Sequence, residues 1–281
     1  MLVVIGDLVA DLIVLGSARL AHGTDNPAEV RLTRGGSAAN VAVAATRAAH
    51  DRHPVRFIGR VGIDTLGATL VGELEGAGVD ARVQRDGRTG AIVILVDDEG
   101  ERTMITDRGA AAELQAIDPA WLEDARRVHF PLYGFADVGS RAALLAAAAM
   151  LRGRGIPVSL DLSSTATMRL LGGETLAGLL DALAPAVVFA NADEAALVIE
   201  LGLVIGGVYV VKRGGDPVLV SHRGTTTEVP VVREDVVDST GAGDAFAAGY
   251  LVATLDGADA AAAARAGVDL ARTALHRAGA L

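Results

Sequence analysis

The sequence predicts an α/β fold: a doubly wound, mostly parallel sheet with a small β lid. Three observations carry that prediction. Short β-branched runs recur along the chain, helix-length amphipathic or alanine-rich segments separate them, and two stretches break the alternation with paired ribbons. Composition agrees, because 51% of the 281 residues are hydrophobic and only 3% aromatic, so small aliphatic side chains must fill the space between helices and sheet.

The strand runs are Leu2 to Ile5, Val55 to Ile58, Val128 to Phe130, Val158 to Leu160, Val187 to Phe189 and Val208 to Val211. Helices are expected over 37 to 50, 64 to 77, 138 to 153, 174 to 183, 192 to 200, 243 to 255 and 258 to 277. Residues 12 to 34 and 89 to 106 read as β-ribbons, the second folding at the turn Asp97-Asp98-Glu99-Gly100. Strands inserted this early in an α/β chain make a small sheet or flap, a lid, over the edge of the main sheet. No Pro/Ser/Gly linker and no internal repeat divides the chain, so residues 1 to 281 are expected to form one domain.

Several function classes fall away. The formal charge is −10 and no Lys/Arg cluster forms a basic stripe, so nucleic acid is not an expected partner. The sequence holds no cysteine, which excludes disulfides, thiolate catalysis and cysteine-ligated metals and fits a reducing cytoplasm. The apolar start is interrupted by Asp7 and Asp11 and lacks a basic flank, so it reads as a strand rather than a signal peptide. The longest apolar run, between Arg141 and Arg152, falls far short of the roughly 20 residues of a membrane span, so no membrane role is expected. His22, His50, His53, His129, His222 and His276 show no metal-ligand spacing and read as surface or packing residues.

Four constellations point to chemistry. In Asp238-Ser239-Thr240-Gly241-Ala242-Gly243-Asp244 a glycine-rich turn runs straight into an apolar helix. First-turn N–H groups lack partners and sit at the positive end of the helix dipole, so such a turn is an anion site. Gly241 and Gly243 let the backbone approach a ligand with no Cβ in the way. Asp244 at its mouth is either an N-cap or a base that takes a proton from an attacking hydroxyl while the Gly241, Ala242 and Gly243 amides stabilise a transferring phosphoryl group. The second, Arg34-Gly35-Gly36-Ser37-Ala38-Ala39-Asn40, is either a tight turn capped by Ser37 or a cradle for a hydroxyl-rich ligand against Gly35, Gly36 and Asn40. It approaches a hydrolase nucleophile elbow but lacks the final glycine and the preceding apolar strand.

The third, Asn191-Ala192-Asp193-Glu194, follows the strand ending at Phe189, where ligands of parallel sheets bind. Its spacing serves a capping box and also aims a carboxylate and an amide at a hydrated Mg²⁺. The fourth is Lys212, the only lysine, at a strand end beside Gly214 and Gly215, read as a phosphate contact or as a solvated cation. Asp7 and Asp11, after the first strand, are acceptors able to hold sugar hydroxyls or ordinary turn residues. No P-loop and no Gly-x-Gly-x-x-Gly fingerprint is present.

With these features in this order, the whole chain resembles the ribokinase-like, or PfkB, family of carbohydrate kinases; the stretches Gly59 to Asp64, Gly100 to Met104 and Arg108 to Ala111 look like the family as well. The resemblance implies a doubly wound core whose β lid often forms a homodimer contact, ATP and Mg²⁺ as cofactors, and a small sugar or nucleoside as partner. It assigns Asp11, Gly35, Gly36 and Asn40 to the substrate, Asp244 to deprotonation of its hydroxyl, and Gly241, Ala242 and Gly243 to the anion hole. It further implies Asn191 and Glu194 in the Mg²⁺–phosphate network, Lys212 and Gly214 at the nucleotide, and Asp238 and Thr240 beside a monovalent cation such as K⁺. Three departures stand out: a short span between Asn191 and Lys212, Pro217 where a glycine is common, and no Pro-Asn after Asp161. The expected reaction is γ-phosphoryl transfer to a sugar hydroxyl; pseudouridine- or adenosine-type nucleoside phosphorylation and a non-catalytic sensor are the alternatives. Apolar and aromatic groups reaching the site from the lid would favour a base over a bare sugar; Tyr133 and Phe135, beyond the Val128 to Phe130 strand, could serve, although both also read as core packing.

Overall fold

Strands that read as unbroken aliphatic runs must be covered on both faces, and a sheet covered on both faces is what such runs build. The computed structural model describes residues 1–16, 20–97, 102–233 and 241–275. The strands are β1 (Leu2–Ile5), β2 (Val9–Leu15), β3 (Glu29–Gly35), β4 (Val55–Val61), β5 (Asp80–Arg85), β6 (Thr89–Val96), β7 (Arg102–Gly109), β8 (Arg127–Pro131), β9 (Val158–Asp161), β10 (Val187–Asn191), β11 (Val208–Arg213), β12 (Asp216–His222) and β13 (Thr225–Val229). The helices are α1 (Ser37–Ala49), α2 (Thr65–Gly76), α3 (Val138–Gly153), α4 (Thr165–Leu183), α5 (Ala192–Glu200), α6 (Ala242–Leu255) and α7 (Ala260–Leu275).

Nine strands form the main sheet in the order β13-β12-β11-β10-β9-β8-β1-β4-β5, parallel from β11 to β5 with β12 and β13 antiparallel at one edge. Helices α1, α2, α6 and α7 pack on one face around Phe57, Phe189 and Phe246. Helices α3, α4 and α5 pack on the other around Phe130, Phe135 and Leu160. The expected doubly wound arrangement is therefore present, and each predicted strand run lies within an observed strand. The ribbons at 12–34 and 89–106 supply a second, four-stranded sheet, β3-β2-β6-β7, in which β2 pairs parallel with β6 and the other pairs are antiparallel. The acidic turn read at 97–100 lies mostly outside the described residues.

Elements the sequence did not announce are edge strands or broken helices. β5 carries Asp80, Arg82, Gln84 and Arg85, and it is held to β4 by Arg56, which donates to Asp80 at 2.7 Å, and by Arg60, which donates to Asp86 at 2.7 Å. Helix α4 begins at Thr165 rather than 174 because Ser164 caps it; Gly172, with φ 75°, breaks it just before the expected start. Among the described residues no helix is long and apolar enough to cross a membrane.

His129 sits at the centre of β8 with no exposed surface. Ser159 Oγ donates to the Val128 carbonyl at 3.2 Å, so its single proton is used, and the His129 Nδ1–H donates to that oxygen at 2.9 Å. The ring meets Phe189 edge-on, with centroids 6.0 Å apart. Burial pushes the imidazole down to about 4, against an upward pull from Asp161. A histidine kept neutral in the folded state contributes stability above the unfolded value of about 6.5, and this is lost as pH falls through about 4, by about 3 kcal/mol in all. Urea unfolding between pH 7 and pH 4.5 should therefore show a shallower loss of stability in His129→Leu than in the wild type. Equal slopes would mean that the ring is not held neutral.

Candidate active site

Two helix N-termini, 200 residues apart in sequence, meet at the carboxyl end of the main sheet. Helix α1 follows β3 through Gly35 and Gly36; a Cβ on Gly36 would lie 2.4 Å from the Asp7 carbonyl, and its φ is 100°. Gly36, not Ser37, is the N-cap of α1, and no side chain caps it. Ser37 and Asn40 are three apart and so share a face. Ser37 Oγ donates to Asp244 Oδ1 at 2.7 Å, and Asn40 Nδ2 donates to Asp244 Oδ2 at 3.0 Å.

Asp244 does not cap its own helix. The N-cap of α6 is Gly241, φ 75°, with no side-chain cap, and the Asp244 carboxylate is turned across to α1 instead. The first-turn amides of α6 are thus left without a capping side chain at the positive end of the dipole. Burial pushes the Asp244 carboxyl up to about 6; the Ser37 and Asn40 donors pull it down, Asp161 adds to the rise and Lys212 opposes it. At neutral pH the group is ionised, and each oxygen keeps a lone pair for a further donor.

A second group of charges adjoins the first. Lys212, at the end of β11, pairs with Asp161 at 2.8 Å, and a Cβ on Gly243 would lie 3.3 Å from its Nζ, so the ammonium stands beside the first turn of α6. Burial works against the charged lysine, yet Asp161 lifts it above its ordinary value. Asn191 and Glu194 form the capping box of α5: the Asn191 backbone and side-chain nitrogens donate to Glu194 at 2.8 and 2.9 Å, and the Glu194 amide donates to Asn191 Oδ1 at 2.8 Å. Burial pushes Glu194 up to about 7, with Asp161 adding to the rise.

Asp161 thus acts on both Glu194 and Asp244, and all three carboxylates act on the one ammonium of Lys212, an arrangement that favours an added cation. No group of three or more acidic or histidine side chains among the described residues makes a metal cage.

Asp7, read as a possible sugar ligand, is engaged elsewhere. Arg108 on β7 donates to it from Nη2 at 2.6 Å and from Nε at 3.1 Å, and also pairs with Asp137 at the start of α3. A guanidinium from the small sheet is thereby clamped between two carboxylates of the main body, beside a cavity of about 770 Å³ lined by Arg88, Thr106, Asp107, Arg108, Glu113 and Asp137. Asp11 lies over Gly35, where a Cβ would fall 2.0 Å from its Oδ1, and burial pushes it up to about 6.

Gly214 forms, with Gly215, the exposed two-residue turn between β11 and β12; its φ of 61° suits glycine. Phe135 is a core residue. Tyr133 donates its hydroxyl to the Ser163 carbonyl at 3.0 Å, and the Asp244 and Asp161 charges add to the upward shift that burial gives it. Asp238 and Thr240 lie outside the described residues. Sequence reasoning missed Asp161, Ser37 as a partner of Asp244, and Arg108 as a clamp. Only Asp161 carried a usable signal, as the polar residue directly after the predicted strand Val158 to Leu160.

Known proteins share this plan. The family model described as pfkB family carbohydrate kinase matches residues 1–281. An ATP-dependent ribose-1-phosphate kinase of Halopiger xanaduensis is 35% identical over 255 residues, covering 84% of this chain and 79% of its own length. A fructokinase of Klebsiella pneumoniae is 29% identical over 269 residues, covering 88% and 82%. Among solved structures, a putative ribokinase II from E. coli in complex with ATP and Mg²⁺ matches with a TM-score of 0.83 at 21% identity, covering 99% of this chain and 93% of that one.

The clamp carries its own prediction. Removing the arginine leaves the buried Asp7 carboxylate unpaired, so Arg108→Ala should lower stability by about 3 kcal/mol in urea unfolding. Arg108→Lys should recover less than half of that, since an ammonium cannot reproduce the fork. An unaltered midpoint for both variants would show that the clamp is open in solution.

Proposed function

The chain belongs to the pfkB family of carbohydrate kinases, and from that premise we propose that Asp244 is the base in transfer of the γ-phosphoryl group of ATP to a sugar hydroxyl. The observation that carries this reading is the Asp244 carboxylate, ionised at neutral pH, fixed by Ser37 and Asn40 at an uncapped helix tip. The acceptor hydroxyl gives its proton to that carboxylate as its oxygen attacks the γ-phosphorus. The bond from phosphorus to the β–γ bridging oxygen breaks, and ADP leaves with the electron pair. The amides of Gly241, Ala242 and Gly243 and the Lys212 ammonium meet the charge on the group in flight.

Asn191, Glu194 and Asp161 are the residues that would hold Mg²⁺ through water, and the ion would supply charge neutralisation on the nucleotide phosphates. Gly214 keeps the assignment to the nucleotide side that the family resemblance implies for it and for Lys212. Asp238 and Thr240 keep their assignment to a monovalent cation, K⁺ being the candidate.

Asp11, Gly35, Gly36 and Asn40 form the acceptor side, beneath the small sheet acting as a lid. Strands β2, β3, β6 and β7 contain no Phe, Tyr or Trp, so the lid offers no stacking surface for a base. Tyr133, which feels the Asp244 and Asp161 charges, does reach the site, so the nucleoside reading stands beside the sugar one. Val30, Leu32, Met104 and Ile105 of the same sheet are each more than half exposed, which suits contact with a second copy of the chain. A cysteine-free chain that consumes ATP fits the cytoplasm.

Asp244→Asn should bind ATP as the wild type does and lose kcat by about 10²- to 10⁴-fold. ADP release measured across ribose, fructose, ribose 1-phosphate, 2-dehydro-3-deoxygluconate, adenosine and pseudouridine, with and without K⁺, identifies the acceptor. Near-native turnover by the variant would overturn the base assignment. A panel flat for the wild type would point to a sensor, and turnover confined to adenosine or pseudouridine would move the acceptor to a nucleoside.

A further inference from the structure

The small sheet has two faces, and strand register sorts its residues between them. Ala10 and Ala91 are paired across β2 and β6 and pack into the core cluster on the α1 and α2 side. The alternate positions therefore look the other way. On that second face, register aligns Thr33 of β3 with Asp11 of β2, Asp11 with Ile92 of β6, and Ile92 with Thr106 of β7. Gly35 shares this face, lies against Asp11 Oδ1 and leads through Gly36 into the first turn of α1, so the face borders the site; two residues along from Thr106, Arg108 closes its far end on Asp7 and Asp137.

Residues directly opposite in an antiparallel pair hold their Cβ atoms about 5 Å apart on one face. Thr33 and Asp11 are such a pair. Both Thr33 Oγ1 and Asp11 Oδ1 are buried and have no hydrogen-bond partner among the described residues. Buried oxygens left unsatisfied on two register-paired residues are rare in native proteins and mark a place where something else completes the bonding. A carboxylate only accepts, whereas a threonine hydroxyl both donates and accepts, so together they match neighbouring hydroxyls that each bring a proton and lone pairs.

We propose that Thr33 is a specificity-determining residue of the acceptor site, its hydroxyl pairing with one member of a vicinal diol of the sugar while Asp11 takes the other. This rests on the sugar kinase reading and adds to it the kind of acceptor admitted: one with two free adjacent hydroxyls besides the one that is phosphorylated. An acceptor with either hydroxyl missing leaves a buried oxygen unpaired and is rejected.

The test uses Thr33→Val, which keeps the shape and removes the hydroxyl, and Thr33→Ser, which keeps the hydroxyl. KM and kcat are measured with whichever of fructose, ribose or ribose 1-phosphate the wild type turns over fastest, and with the monodeoxy analogues lacking each hydroxyl of the diol. Thr33→Val should raise the acceptor KM by about tenfold with kcat changed by less than about threefold and the ATP KM unmoved. Its discrimination against one of the two deoxy analogues should disappear, and Thr33→Ser should stay within about twofold of the wild type. Unchanged acceptor KM and unchanged discrimination in Thr33→Val would overturn the Thr33 assignment and leave the kinase reading standing. A wild type that phosphorylates no acceptor of the full panel, 2-dehydro-3-deoxygluconate and the nucleosides included, would overturn both.

Discussion

The Asp244 carboxylate, bound from α1 and presented at the tip of α6, is the constraint on which the rest of the site depends. A charge at that depth needs donors, and Ser37 and Asn40 supply them from a helix that begins more than 200 residues earlier. Both helices start on glycine N-caps, Gly36 and Gly241, that carry no capping side chain. Helix tips are ordinarily closed by a Ser, Thr, Asp or Asn; here the donors of α6 stay available for an anion.

The surrounding charges follow from that choice. Asp161 and Glu194 raise the electrostatic cost of ionisation nearby, and Lys212 offsets only part of it. Such a cluster is a poor way to stabilise a fold and a suitable way to receive a polyanion with its metal. The small sheet is tied to the main body by side chains at several points: Arg108 joins β7 to Asp7 after β1 and to the start of α3, Arg34 of β3 donates to Asn40, and Thr89 of β6 bonds to Asp64. Opening that sheet would strip two carboxylates of their shared partner, so its movement is coupled to an ion-pair network rather than to apolar contact alone.

Much of this was legible from residue order, for identifiable reasons. The central strands carry short apolar runs with only single buried polar residues such as His129 and Ser159 between them, and a helix opening on Gly-Ala-Gly-Asp or closing a box from Asn191 to Glu194 announces its polar tip locally. Strands β5, β12 and β13 were not legible because they are edge or near-edge strands with polar alternation; β5 is secured by Arg56 and Arg60 reaching from β4. The partners of Asp244 could not be read either. Ser37 looks like a cap in sequence, and only the meeting of α1 with α6 turns its hydroxyl toward a carboxylate. Arg108, Asp161 and Thr33 acquire their neighbours through strand register, which no local pattern encodes.

Direct titration of the Asp244 carboxyl tests the central claim most closely. In ¹³C-labelled aspartate spectra, the resonance lost in Asp244→Asn should titrate near pH 6 in the wild type and move higher in Ser37→Ala, where one donor to the carboxylate is gone. A resonance titrating near the ordinary aspartate value of about 3.9, unmoved by the loss of Ser37, would contradict it: the carboxylate would then be solvated and free of α1.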